Sequence, residues 1–228
     1  MRHSLWTAVY ESDKERDINS LKFTNLGQIV DECHIIFKKN KCYLLINVQQ
    51  MLGIKPKIIR ECVDIQAEEI TDVLSWRFRI PLRKIRLVIG NPFELKADTT
   101  ARRSDAKYKG LLLAPYTPRN KELLEAYREI LNEKSSALRF LMCYRMIEMI
   151  SKEVGLRPDD LIVRHFPEIK LVSEKRNPKR KATIYTHKRN KIHATNNRYS
   201  FPYRDLEEAA LEMEGALKEI IAVSFLRI

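Results

Sequence analysis

The sequence predicts an α+β protein, with a small antiparallel sheet in its N-terminal region and an all-α, up-down helical bundle at its C-terminal end. Three observations point there. Short apolar or alternating runs bounded by turn residues dominate the first half. Helical stripes dominate the rest. Pro115 and Pro118 mark the switch. The expected division is 1–118 for the α+β region and 119–228 for the bundle. A chain of 228 residues suits one large domain or two small ones.

The first strand is expected at Ser4–Tyr10, with Leu5, Thr7 and Val9 opposite Trp6, Ala8 and Tyr10. Cys33–Phe37 and Cys42–Val48 flank Lys38-Lys39-Asn40-Lys41, which reads as a hairpin turn. Lys57–Glu69 has a weaker helical pattern. Leu74–Ile80 alternates, with Leu74, Trp76, Phe78 and Ile80 on one face of an expected strand. Ile85–Ile89 ends at the breaker Gly90-Asn91-Pro92. Leu95–Lys109 is polar and reads as an exposed loop, and Leu111–Ala114 as a last strand.

Beyond Pro118, Asn120–Glu133 puts Leu123, Leu124, Tyr127, Ile130 and Leu131 on one stripe, with Asn120 as its N-cap. Ala137–Val154 is apolar nearly all round, the mark of a central helix, and Gly155 ends it. Pro158–His165 is a short helix. A last helix starts near Pro202 and runs to Ile228, with Leu206, Ala209, Ala210, Met213, Leu217, Ile220, Ile221 and Phe225 as its stripe.

An apolar fraction of 44% supports a packed core. No apolar run reaches the roughly 18 residues that a membrane span needs. The start MRHSLWTAVYESDKE has no apolar core or cleavage site of a secretory signal, so a cytoplasmic protein without a membrane partner is expected. Cys33, Cys42, Cys62 and Cys143 form no Cys-x-x-Cys pair and stand at no zinc spacing from a histidine. They read as reduced thiols. No Gly-rich phosphate loop, dinucleotide fingerprint or Ser-His-Asp order is present, and no metal or cofactor is expected.

The net charge of +12 is concentrated. Lys175, Arg176, Lys179, Arg180, Lys181, Lys188, Arg189, Lys191 and Arg198 fall in one stretch that holds no acid. A single-sign block repels itself unless a polyanion meets it, which makes nucleic acid the default partner. The alternative is a solvated basic loop.

Within the same stretch, Arg189 and His193 are four apart, so on a helix they share a face. Such a pair can cleave RNA. A histidine titrating near neutrality moves a proton at the ribose 2′-hydroxyl or the leaving 5′-oxygen. A planar guanidinium stabilises charge on the phosphorane. Asn190 could orient the histidine or touch the RNA backbone. Arg180 with His187 is a second such pair. Arg145 and Glu148, three apart in the apolar helix, are expected to be mostly buried. They would be bonded to each other or to the Arg189 segment. The competing reading makes both pairs structural.

The order of a buried helix carrying Tyr144-Arg145-Met146-Ile147-Glu148, a basic loop, Arg189-Asn190-Lys191-Ile192-His193-Ala194 and a long closing helix resembles the HEPN superfamily. The likeness is to its ApeA-like and methylamine-utilisation J-like branch, and it covers about 120–228. It implies a helical bundle whose homodimer joins two Arg-x(4–6)-His motifs in one metal-independent ribonuclease site. Host defence or a toxin role is implied too, with a possible partner protein of a toxin–antitoxin or defence system. Other members of the superfamily are non-catalytic binding or dimerising modules. Only three residues separate Arg189 from His193, one fewer than the usual minimum. The motif is then a shortened variant, or the working pair is Arg180 with His187, or the site is degenerate.

Overall fold

The alternating run at the start of the chain becomes β1 (Arg2–Glu11), and its place in the sheet explains its composition. In the computed structural model, which describes residues 2–13, 21–24, 29–50, 53–90, 118–174, 177–194 and 203–226, β1 lies between two neighbours. These are β4 (Lys41–Gln50) and β5 (Arg83–Ile89), both antiparallel to it. Thr7 faces Leu45 on one side and Val88 on the other. Trp6, Ala8 and Tyr10 are buried, and so are Thr7 and Val9, so neither side of the strand is polar. β2 (Leu21–Thr24) and β3 (Val30–Lys38) complete a five-stranded sheet in the order β2-β3-β4-β1-β5. The expected β3–β4 hairpin forms. Lys38 pairs with Lys41, and Lys39 turns the chain at a left-handed φ of 57°.

Between β4 and β5 runs α1 (Pro56–Phe78), with Pro56 in its first turn, where a missing N–H costs nothing. The expected strand over Leu74–Ile80 does not exist; Leu74–Phe78 is the end of α1. Residues Ile70 to Trp76 are all buried. A helix enclosed on every side has no polar face to display a 3.6-residue period, so a chance alternation looked like a strand. Arg79 closes the helix in the left-handed region, at φ 52°.

The chain divides into two compact units, Met1–Asn132 and Glu133–Ile228. The expected boundary near 118 thus moves past α2 (Pro118–Asn132), which packs on α1 instead of joining the later helices. The buried stripe Leu124, Tyr127, Ile130 and Leu131 is as expected, but a stripe does not name the partner it will cover. Asn132 fastens the end of α2, donating to the Leu82 carbonyl at 3.3 Å, while its own carbonyl accepts from Arg83 at 3.0 Å. Asn120 does not cap α2. It is the third residue of a helix that starts at Pro118, and it is buried. The loop expected at 95–109 and the strand at 111–114 lie outside the described residues.

In the second unit, α3 (Ser136–Glu153) packs on α6 (Tyr203–Ile221). α3 buries Phe140, Cys143, Tyr144, Ile147 and Ile150, and α6 buries Ala209, Ala210, Met213, Ala216, Leu217, Ile220 and Ile221. The alanines let the two backbones approach closely. α6 is shorter than expected and passes into a π turn at Ala222–Leu226. Ser135 caps α3, and Gly155, at φ 69°, ends it as expected. The short α4 (Pro158–His165) follows.

An all-α second half is not what forms. β6 (Leu171–Glu174) and β7 (Asn177–Thr183) make an antiparallel hairpin before α5 (Ile184–Ala194). β6 is only four residues long, and β7 is mostly basic, with Ala182 and Thr183 as its buried residues among those whose side chains are described. Its pairing rests on backbone hydrogen bonds that leave no apolar alternation to read. The expected basic loop is therefore in part a strand.

Candidate nucleic-acid interface on α5

α5 starts directly from β7, and four side chains fix that junction. Thr183 caps the helix, its hydroxyl accepting the Thr186 N–H at 3.3 Å. Asp159, in the first turn of α4, reaches across with a single carboxylate oxygen. That oxygen accepts from the Thr183 N–H at 2.8 Å, the Thr183 hydroxyl at 2.7 Å and the Thr186 hydroxyl at 2.6 Å. The Tyr144 hydroxyl of α3 lies 2.5 Å from the Thr186 oxygen. All four residues are buried, so each of these polar groups needs the partner it has. Burial also pushes the Tyr144 phenol up, which keeps it protonated.

One turn along α5, the Arg189 guanidinium sits over the Tyr144 ring, 5.2 Å from its centre. It donates to Glu148 of α3 at 2.5 Å and to the Asn190 side chain at 3.1 Å. Arg189 thus joins the Glu148 and Tyr144 that the sequence had singled out. Its side chain is 31% exposed and that of Glu148 29%. Glu148 is thus bonded to the Arg189 segment, as expected, but is half-buried where a mostly buried residue was expected. Arg145 departs further, for it is exposed. A face on a helix that is apolar nearly all round is not decided by period alone, and the α3 surface holding Arg145 also exposes Leu138 and Met149. Replacing Glu148 by alanine should then cost about 1–2 kcal/mol, since water reaches both charges. A shift of the denaturant midpoint at constant slope measures it.

Positions 189 and 193 lie one helical turn apart on α5, as the spacing required; the His193 side chain is outside the described residues. His187 is half-buried and engaged with its surroundings. It does not share a helix with Arg180, which belongs to β7, so the alternative pair lacks the common helical face of the first. Lys181, Asn190 and Lys191 are exposed and Lys188 is half-buried. Lys175, Arg176 and Arg198 lie outside the described residues, as do the side chains of Lys179 and Arg180. Sequence reasoning missed Asp159, Thr183 and Thr186. A Thr-x-x-Thr step after a basic strand could have signalled the cap, but nothing local points to Asp159, 24 residues before Thr183.

The first unit holds a second polar cluster that the sequence reading passed over. Asp64, Glu68 and Asp72 recur every four residues on α1 and so share a face. Glu68 takes Arg128 of α2 at 2.6 Å, Lys84 of β5 at 3.1 Å and the Tyr10 hydroxyl of β1 at 3.1 Å. Lys84 also bonds Asp64. Burial works to raise Glu68, but Arg128 and Lys84 outweigh it and hold the carboxyl below its usual range. Asp72 is more enclosed, at 2% exposure. The Arg128 Nε stands 2.9 Å from Asp72 Oδ1 but is not aimed at it, and that oxygen has no hydrogen bond. Burial pushes Asp72 up to about 7, against the pull of Arg128 and with repulsion from Glu125 and Glu68 added. Burial works to lower Arg128, but Asp72 and Glu68 outweigh it and hold the guanidinium above its ordinary range.

Among the described residues, no three of His, Cys, Asp or Glu are grouped so as to hold a metal ion, and no helix is long and apolar enough to cross a membrane. Cys33, Cys42 and Cys143 are buried, and Cys62 is half-buried. No family model, curated protein or solved structure matches the chain.

Proposed function

We propose that the Glu133–Ile228 unit binds RNA and cuts it as a metal-independent endoribonuclease of HEPN type, acting as a homodimer in host defence or as a toxin. The observation that carries this reading is the setting of Arg189. Its guanidinium is held on two sides yet remains partly open to solvent, one turn before position 193, on a helix that also carries the half-buried Lys188 and the exposed Lys191. A cation fixed in advance stabilises a phosphorane without reorganising. His193 would move the proton, with 2′-hydroxyl attack leaving a 2′,3′-cyclic phosphate and a 5′-hydroxyl. Asn190, bonded to Arg189, would set the cation rather than the histidine.

One observation favours a second reading, a non-catalytic binding or dimerising module. The Glu148 carboxylate already neutralises Arg189, as it would in a pair that only holds α5 on α3. Incubation of the purified chain with total RNA in EDTA separates the two. Cleavage with cyclic-phosphate ends supports the first, and intact RNA the second. Both readings expect binding that weakens with salt, because each neutralised phosphate releases counterions. Six contacts should lower affinity about 10³-fold between 50 and 200 mM salt. Charge reversal at Lys179, Arg180 and Lys181 should weaken binding whatever the RNA sequence. An affinity that is flat with salt would remove the basic stretch as the footprint.

A further inference from the structure

The geometry points to Asp159 as a positioning residue for Arg189, acting through Thr186 and Tyr144. Hydrogen-bond direction links the four side chains in one sense. Asp159 accepts the Thr183 N–H with its Oδ1, and an oxygen that accepts there has no hydrogen to give. That oxygen therefore receives the hydroxyl hydrogens of both Thr183 and Thr186, at 2.7 and 2.6 Å. A threonine hydroxyl has a single hydrogen. Since that of Thr186 goes to Asp159, the 2.5 Å contact between Thr186 and Tyr144 must be made with the phenol as donor. The chain runs one way, from Tyr144 to Thr186 to Asp159. It fixes the tyrosine ring at its far end, and the face of that ring carries Arg189.

Three elements meet in this chain: α3 supplies Tyr144, α4 supplies Asp159 and α5 supplies Thr186 and Arg189. Asp159 does not touch the guanidinium. It sets the ring beneath it, while Glu148 holds the guanidinium through a hydrogen bond. The ring and the carboxylate leave the arginine few rotamers, so a phosphate meets a cation whose conformational entropy is already spent. This role rests on the RNA-binding reading above for its purpose, but the positioning itself is a property of the free protein.

The test uses the full chain and two readouts. The first is the side-chain Nε–H signal of Arg189 in a 15N-labelled sample, assigned by its absence in Arg189→Lys. Tyr144→Phe, which keeps the ring and loses the donor, should broaden or shift that signal. Thr186→Val should do the same, and Thr186→Ser, which restores the hydroxyl, should return it. The second readout is affinity for a short single-stranded RNA at 50 mM salt. Tyr144→Phe should weaken binding about five-fold, the value of one hydrogen bond. It should have no further effect in an Arg189→Ala background. An unchanged Arg189 signal in a folded Thr186→Val variant overturns the proposal. So does an equal loss of affinity in both backgrounds, which would mean that the phenol only supports the fold. If the wild type binds no RNA, the proposed function fails, and the Arg189 signal alone decides the positioning.

Discussion

Replacement of His193 by alanine is expected to lower RNA cleavage about 10²–10⁴-fold, the usual contribution of a positioned acid or base, while RNA affinity changes less than about two-fold. The two effects separate because the charges are divided. On the proposed reading, affinity would rest on cations such as Lys181, Lys188 and Lys191. The proton transfer would be left to the imidazole. Arg189→Ala should behave differently and lose both rate and affinity, for on the proposed reading Arg189 would both bind a phosphate and stabilise the developing charge. Cleavage in EDTA with synthetic RNA, followed across pH, checks both variants. The wild-type rate should peak near neutrality, and that dependence should vanish in His193→Ala. If His193→Ala cleaves as fast as wild type, His193 is not the proton carrier. His187 would then be tested next, although the strand position of Arg180 makes that pair the weaker one.

The parts of the molecule that could be read from the sequence share a physical reason. β1, the β3–β4 hairpin, β5, α3 and α4 each have a local pattern and a local stop signal, such as Lys39-Asn40, Gly90 or Gly155. Their pattern and stop signal are local even where the partner is distant, as for β1 with β5 and α3 with α6. The misread parts depend on distant partners. α2 looks like any amphipathic helix, and only its packing on α1 and the bonds of Asn132 to the β5 side assign it to the first unit. The end of α1 has no polar face because it is enclosed. The β6–β7 hairpin is held by its backbone, of which composition says nothing. The candidate site divides in the same way. Arg189, Glu148 and Tyr144 were legible because charges and a phenol in an apolar helix require partners. Asp159 was not, because it stands in an ordinary Pro-Asp-Asp helix start and its acceptors' work is done across two elements.

The Asp72 cluster leads to the second large effect, on the stability of the first unit. A carboxyl held up at about 7 in the folded chain, against an ordinary value of 3.8, keeps a proton that the unfolded chain releases. Between these values the folded state binds more protons, so stability falls as pH rises through the window from about 4 to 7 and is level above it. The full difference is about 4 kcal/mol at 1.36 kcal/mol per unit. Glu68 works in another range. Its carboxyl is held down by Arg128 and Lys84, so its contribution is complete above the unfolded value and is lost only in more acid solution. Asp72→Asn mimics the protonated form and cannot ionise. The variant should therefore be more stable than wild type at pH 8, and its advantage should grow by about 2 kcal/mol between pH 5 and 7. Denaturant unfolding at a series of pH values, followed by the fluorescence of buried Trp6 and Trp76, measures that gap. The reverse outcome is just as clear. A variant less stable than wild type at pH 8, with a gap that ignores pH, would mean that Asp72 is ionised throughout. The 2.9 Å approach of Arg128 would then outweigh the burial of the carboxylate. The geometry argues against that balance, since the arginine gives its direct hydrogen bond to Glu68 and leaves Asp72 Oδ1 without one.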